Sequence, residues 1–257
     1  SMITRKAAAA LGAGCTVVIK PSEATPYSAL ALGVLAEQAG MPKGVFNIVT
    51  GDAKTIGKVL TGHDLVKKFS FTGSTEVGKK LMAQCADTVK KVSLELGGNA
   101  PFVIFEDADL EKAAEGTVTS KFRNAGQTCI CANRIFVHEN IYDKFLKLLI
   151  DKTKALKVGP GTDEETDIGP MINMDGLEKA EELLQDALKN GAKLECGGER
   201  LQDKGEQFFA PTVITGVTPD MRIFKEEIFG PVAAVYKFST TDEVVEKANN
   251  TEYGLAA

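Results

Sequence analysis

The feature that most constrains the fold is an alternation of strand and helix patterns, sustained from the start of the chain to Leu96. A helix predicted over Ile3–Leu11 precedes Thr16-Val-Val-Ile-Lys20, a β-branched run bounded by Gly14 and Pro21. Thr25-Pro26 then offers an N-cap followed by proline at the first helical position. Leu30, Leu32, Val34, Leu35 and Ala39 follow, and Gly40 sits where a helix stop belongs. Val45–Val49, Lys68–Phe71 and Val89–Leu96 read as further strands, with helices over Ala53–Leu60 and Val77–Ala86 between them. Strands joined through single helices run parallel, so this part is predicted to be a parallel sheet covered by helices.

After Gly97-Gly98 the rhythm changes. Helices are predicted over Leu110–Arg123 and Tyr142–Ala155, with a strand near Arg134–Val137 between them. The polar loop Gly159-Pro-Gly-Thr-Asp-Glu-Glu-Thr166 leads to an amphipathic helix. There Leu177, Ala180, Leu183, Leu184, Ala187 and Leu188 keep i, i+3, i+4 spacing, which seats one side on a sheet. Lys193–Cys196, Thr212–Ile214 and Val232–Phe238 complete a second α/β unit. The boundary falls at Gly97-Gly98, dividing the chain into 1–96 and 97–257.

Composition narrows the functional classes. The chain has 257 residues, 44% of them hydrophobic, without the long apolar run a membrane span needs. Net charge is −5 from 30 basic and 35 acidic side chains, mixed along the chain, which argues against a nucleic-acid surface. Lys67-Lys68, Lys79-Lys80 and Lys90-Lys91 read as solvated faces. With only His63 and His138, neither a histidine zinc site nor a histidine-based triad has support, and no metal is expected. Cys15, Cys85, Cys129, Cys131 and Cys196 form an odd, scattered set rather than a disulfide framework. They imply a reducing compartment with thiols available for chemistry.

Several residues then stand out. Cys129 follows Gly126-Gln-Thr just beyond a predicted helix. A thiol in such a polar turn can meet backbone N–H groups that lower its pKa and stabilise a substrate oxyanion. The alternative is a buried structural cysteine, and spacing alone leaves both open; Cys131 has the same structural alternative. Glu95, in Ser93-Leu-Glu-Leu-Gly-Gly98, ends an apolar strand, where a carboxylate could serve as general base or simply face outward. Phe71-Thr-Gly-Ser-Thr-Glu-Val-Gly78 reads as strand, glycine turn and helix start, an N-terminus suited to a pyrophosphate through Gly73 and Ser74. Lys20 and Glu23 could reach ribose hydroxyls or belong to an ordinary turn. Glu227 and Phe229 precede the Gly230-Pro231 break, as ribose contacts or as parts of a plain loop.

Taken in order, Lys20-Pro-Ser-Glu-x-Thr-Pro26, Phe71-Thr-Gly-Ser-Thr-x-x-Gly78, Leu94-Glu-Leu-Gly-Gly98, Gly126-Gln-x-Cys129 and Glu226-Glu-x-Phe-Gly-Pro231 resemble the aldehyde dehydrogenase superfamily. The resemblance runs from Met2 to Leu255. It implies a Rossmann-like cofactor domain over 1–96 and an α/β catalytic domain over 97–257. It also implies that Cys129 attacks the aldehyde to give a thiohemiacetal that yields its hydride to a nicotinamide, and that Glu95 activates the water that hydrolyses the thioester. Lys20 and Glu23 would hold the adenosine ribose. Gly73 and Ser74 would hold the pyrophosphate, Leu96 would border the cofactor, and Glu227 and Phe229 would hold the nicotinamide ribose.

Within the superfamily, Met2-Ile-Thr-Arg-Lys6 and Ser120–Arg134 are similar to the succinate-semialdehyde dehydrogenase group. This resemblance implies that Arg5 and Arg123 bind the substrate carboxylate, a task that suits guanidinium forks. Glutarate semialdehyde is a close rival, since one methylene is worth only about 1–3 kcal/mol. Glu23 favours NAD, with NADP the other option. Cys131 resembles a second cysteine of this group, which suggests a redox partner for Cys129. The implied partners are a small acidic aldehyde and, for a full-length protein, further copies in a dimer or tetramer. Nucleic acid and membrane are not expected, and the compartment would be the cytoplasm, or the mitochondrion in a eukaryote.

The family's Pro-Trp-Asn-Phe-Pro segment, whose asparagine helps form the oxyanion hole, lies ahead of the matching positions, and the chain has no Trp. The last part of the family's catalytic domain and its oligomerisation strand lie beyond the other end. The cofactor domain is thus expected to be incomplete at its N-terminal side, the catalytic domain at its C-terminal side, and the isolated chain poorly active or inactive. Two rivals are a non-catalytic nucleotide-binding fragment or pseudoenzyme, and a thiol protease, for which neither histidine has a supporting motif.

Overall fold

In the computed structural model, which describes residues 2–257, the strand–helix alternation up to Leu96 is realised element by element. The order is α1 (Met2–Gly12), β1 (Val17–Ile19), α2 (Tyr27–Gln38), β2 (Phe46–Ile48), α3 (Ala53–Gly62), β3 (Lys68–Thr72), α4 (Thr75–Ala86) and β4 (Lys91–Glu95). Helix α3 starts where the Asp52 carboxylate accepts from Thr55 N–H at 2.7 Å, and α4 where Ser74 Oγ accepts from Val77 N–H at 3.4 Å. Gly40, at φ +76°, follows α2 in the left-handed conformation that glycine adopts without steric cost.

This half departs from the sequence expectation in three ways. Its strands form two separate parallel pairs, β1 with β2 and β3 with β4, rather than one sheet. Helix α2 starts after Pro26, whose carbonyl accepts from Ala29 and Leu30 N–H, and no side chain caps it. Val89 takes φ +50° and is 89% exposed, so β4 begins two residues later than expected. The apolar residues of α2 build little core: Leu30, Val34 and Leu35 are exposed, and Ala29 is its one buried residue.

The chain divides into two units, Ser1–Leu96 and Gly97–Ala257. The second contains β5 (Ala100–Ile104), α5 (Leu110–Phe122), a 3-10 turn (Arg123–Gly126), β6 (Ala132–His138) and α6 (Tyr142–Lys154). It continues through α7 (Met174–Lys189), β7 (Lys193–Cys196), β8 (Thr212–Thr215), α8 (Arg222–Lys225), β9 (Val232–Phe238) and α9 (Thr241–Asn249). Five strands form one sheet in the order β5-β6-β9-β8-β7, parallel except for β7, which runs antiparallel to β8. The inner strands β6 and β9 are buried on both faces, which demands near-continuous apolar runs such as Ile135-Phe-Val137 and Val232-Ala-Ala-Val235. Helix α7 buries Leu177, Ala180, Leu183, Leu184 and Ala187, the face its spacing predicts. Each leucine contributes about 1.5–3 kcal/mol by leaving water.

Strand β5 and helix α9 had no counterpart in the sequence reading. Pro101 lies inside β5 and argues against a strand, but β5 is the sheet edge, where a missing N–H costs little.

Candidate active site

In the second unit, α5 delivers the chain to Cys129. Its N-cap Asp109 accepts from Lys112 N–H, and its last residue, Phe122, is buried. Arg123 leaves the helix with extended backbone and is exposed. Asn124, Ala125 and Gly126 then take φ of 52°, 56° and 74°, three left-handed residues in succession. For Ala125 this costs about 1–2 kcal/mol, so the surroundings must hold it.

Gln127 supplies one restraint. Its side-chain amide donates to Asn124 O at 2.9 Å, while its Oε1 accepts from Ile172 N–H at 2.8 Å. Gly126 supplies another, because a Cβ there would stand 2.2 Å from Gly230 O. Beyond it, Cys131 N–H donates to Thr128 O at 3.1 Å, closing a turn with Cys129 and Ile130 at its tip. Cys129 is half-buried. Cys131 is buried and its thiol donates to Gly126 O at 3.4 Å, so it braces the same turn. Ala132 N–H donates to Ser120 Oγ at 3.0 Å, tying the start of β6 back to α5.

Gly97-Gly98 and Glu227 close on this turn. A Cβ on Gly98 would stand 2.0 Å from the carbonyl oxygen of Cys129, and one on Gly97 2.6 Å from Glu227 Oε2. Gly98 N–H donates to Glu227 Oε1 at 3.0 Å. Burial pushes the Glu227 carboxyl above its ordinary range, against the pull of that hydrogen bond. Phe229, two residues on, takes φ +52° and is 36% exposed, while Ile228 between them is fully buried. Cys129, Cys131, Glu227 and Phe229 thus belong to one loop cluster, and exposed Arg123 begins the turn that leads into it.

Lys121 was missed. Its side chain is fully buried, and its Nζ has no hydrogen-bond partner among the described residues. Burial pushes the amine below its ordinary value, with Cys131 and Glu227 pulling the other way. The signal was present: Ala114, Thr117 and Lys121 share one helical stripe, and all three are buried.

In the first unit the singled-out residues other than Arg5 lie at or just beyond the carboxyl ends of strands. Lys20 Nζ donates to Glu23 Oε1 at 3.1 Å, and Ala53 N–H, in the first turn of α3, donates to the same oxygen at 2.9 Å. Gly73 N–H donates to Glu95 O at 3.0 Å, joining the ends of β3 and β4. Leu96 packs on α4, where a Cβ on Gly78 would stand 2.4 Å from its Cδ2. Arg5 is exposed on α1. One turn position later, Lys6 Nζ donates to Phe71 O at 2.9 Å and to Thr72 Oγ1. Thr72 is the register partner of Glu95. Burial lowers the Lys6 pKa and the Glu95 carboxylate counters it, a pairing the sequence reading did not contain.

These features fit a dinucleotide. The twelve-residue α4 opens its N-terminus at exposed Gly73 and Ser74, where backbone N–H groups favour phosphate. Glu76 in its first turn would oppose an anion, but Lys80 pairs with it at 2.6 Å. Among the described residues no cluster of metal-ligating side chains occurs, and no helix is long and apolar enough to cross a membrane.

Comparison with known proteins decides the family. The profile of the aldehyde dehydrogenase family matches residues 1–257. The chain belongs to that family. It is 58% identical over its whole length to a 3-sulfolactaldehyde dehydrogenase of Pseudomonas putida, covering 53% of that relative. It is 53% identical to the NADP(+) succinate-semialdehyde dehydrogenase GabD of Escherichia coli K12, again over 100% of the chain and 53% of the relative. Among solved structures, a succinate-semialdehyde dehydrogenase from Burkholderia pseudomallei superposes with a TM-score of 0.97 at 55% identity, covering 99% of this chain and 53% of the other. The chain spans about half the length of the family members it matches.

Proposed function

We propose that this family member takes part in the NAD(P)-dependent oxidation of a short anionic aldehyde to its acid, with succinate semialdehyde as the leading substrate. The observation that carries the reading is the Cys129 turn. Three left-handed residues, a glutamine brace and two glycines without room for a Cβ hold one half-buried cysteine at a defined place. A merely structural cysteine gives no reason to maintain such strain.

In this reading, residues 1–96 form the cofactor domain and 97–257 the catalytic domain. Lys20 and Glu23 bind the adenosine ribose, Gly73 and Ser74 the pyrophosphate, and Glu227 and Phe229 the nicotinamide ribose, with Leu96 bordering the site. The Cys129 thiolate attacks the aldehyde carbon, forming the C–S bond as the carbonyl π pair moves to oxygen to give an alkoxide. The bound nicotinamide supplies a hydride acceptor. Loss of hydride from the thiohemiacetal leaves a thioester on Cys129. Glu95 takes a proton from water, whose oxygen attacks the thioester carbon, and the C–S bond breaks to release the acid and restore the Cys129 thiolate.

Substrate class follows from charge. Both named relatives act on aldehydes that carry an anionic group, a sulfonate in one and a carboxylate in the other. The exposed guanidiniums of Arg5 and Arg123 suit either anion. For the cofactor, Glu23 is already engaged by Lys20 and Ala53 N–H. Its charge is therefore partly neutralised, and it discriminates less against a 2′-phosphate than a free carboxylate would. NAD and NADP both remain in the proposal. Assembly as a homo-oligomer and a redox role for Cys131 belong to the same reading.

Steady-state oxidation of succinate semialdehyde, glutarate semialdehyde and an uncharged aldehyde by the full-length gene product, with NAD and NADP compared, tests it. The expected result is a preference for the anionic aldehydes that vanishes with all turnover in Cys129→Ala. Turnover retained by Cys129→Ala, or no turnover of any aldehyde, overturns the reading.

A further inference from the structure

A buried amide brackets Glu227 through its backbone. Asn133 follows Cys131 by two residues, lies in β6 and is 1% exposed. Its Nδ2 donates to Glu226 O at 3.1 Å, and its Oδ1 accepts from Ile228 N–H at 3.2 Å. One side chain therefore satisfies the carbonyl just before Glu227 and the N–H just after it. The remaining Nδ2 hydrogen goes to Asn99 Oδ1 at 2.6 Å.

Asn99 is likewise buried and extends the bracket. Its Nδ2 donates to Phe224 O at 3.1 Å and Thr251 Oγ1 at 3.3 Å. Its own carbonyl accepts twice from Arg134, from Nε at 3.1 Å and Nη2 at 2.9 Å. Gly98, the residue before Asn99, donates to the Glu227 carboxylate itself. The two asparagines thus fix both the backbone that carries Glu227 and the N–H that aims its carboxylate. Side-chain amides are the suitable groups, since a buried loop flank needs a donor and an acceptor at fixed separation without adding charge.

We propose that Asn133 is a positioning residue for Glu227, with Asn99 as its anchor, so that cofactor affinity depends on Asn133 through the aim of the Glu227 carboxylate. The inference rests on the reading that Glu227 binds the nicotinamide ribose.

The test is a double-mutant cycle on the full-length gene product, using wild type, Asn133→Ala, Glu227→Gln and the double variant. The readout is the Kd, by fluorescence titration, of whichever of NADH and NADPH binds the wild type more tightly. Each single change is expected to weaken binding about tenfold. The double variant should bind within about twofold of Glu227→Gln, because no carboxylate is left to aim. Full additivity, a loss of about a hundredfold, shows Asn133 acting on something other than Glu227 and overturns the inference alone. An unchanged Kd in Glu227→Gln overturns the ribose reading and the inference with it. Asn133→Ala leaves two buried backbone groups unpaired. If it does not fold, Asn133→Ser takes its place in the cycle, with the same outcomes deciding.

Discussion

The α-carbon of Gly98 lies against the carbonyl oxygen of Cys129, so close that a Cβ would stand 2.0 Å from it. These residues are far apart in sequence, yet one sets the height of the other. Gly98→Ala must push the Cys129 turn away. It is expected to cut kcat/KM for aldehyde at least about tenfold, equivalent to ~1.4 kcal/mol, and to change the rate at which iodoacetamide labels Cys129. Mass-spectrometric labelling on the purified chain measures the second effect. Wild-type rates in both assays would show that the contact does not matter.

Arg123 is exposed beside the strained turn that leads to Cys129. If it receives the substrate anion, Arg123→Ala should lower kcat/KM for succinate semialdehyde about tenfold or more, as expected for a lost charge-assisted hydrogen bond. An uncharged aldehyde of similar length should change by no more than about threefold. Equal losses on both substrates would remove Arg123 from anion recognition.

Lys121 is a buried amine with no hydrogen-bond partner among the described residues. Its pKa in the folded state lies below the ordinary 10.5. The unfolded chain therefore binds more protons between those two values, and stability rises with pH across that window. Lys121→Met should remove this rise. It should also leave stability at neutral pH unchanged or raised by about 1 kcal/mol, since an apolar chain of similar length replaces a desolvated amine. Denaturant unfolding between pH 7 and 10.5 reports both effects. Destabilisation beyond about 2 kcal/mol would mean that the amine has a partner of real strength.

Glu243 occupies the third position of α9. Its carboxylate accepts from Lys247 and from both the N–H and the hydroxyl of Ser239. These partners, Lys247 foremost, hold its pKa down to about 2 from an ordinary 4.5. A depressed carboxyl stabilises the fold fully above 4.5, and the contribution fades as pH falls through 4.5 toward 2. Glu243→Gln should lower the melting temperature at neutral pH and make the acid-side decline shallower. An acid limb parallel to that of the wild type would contradict the assignment.

What the sequence determined by itself was local. Hydrophobic spacing placed α7 and its buried face, and β-branched runs placed β9, because burial of one stripe or of a whole strand leaves its period in the chain. The ordered motifs around Cys129, Glu95 and Glu227 carried the family resemblance. Tertiary structure decided the rest. It made a strand of Ala100–Ile104 despite Pro101, since only the sheet order shows that this strand is an edge. It buried Lys121, set Lys6 beside Glu95, and left much of the apolar face of α2 exposed. It also brought Gly98 to Glu227 and Asn133 to both neighbours of Glu227. The physical reason is the same throughout. Propensity and periodicity act over a few residues, whereas the aim of a carboxylate or the height of a thiol is set by contacts between segments from about thirty to more than a hundred residues apart, and those exist only once the chain has packed.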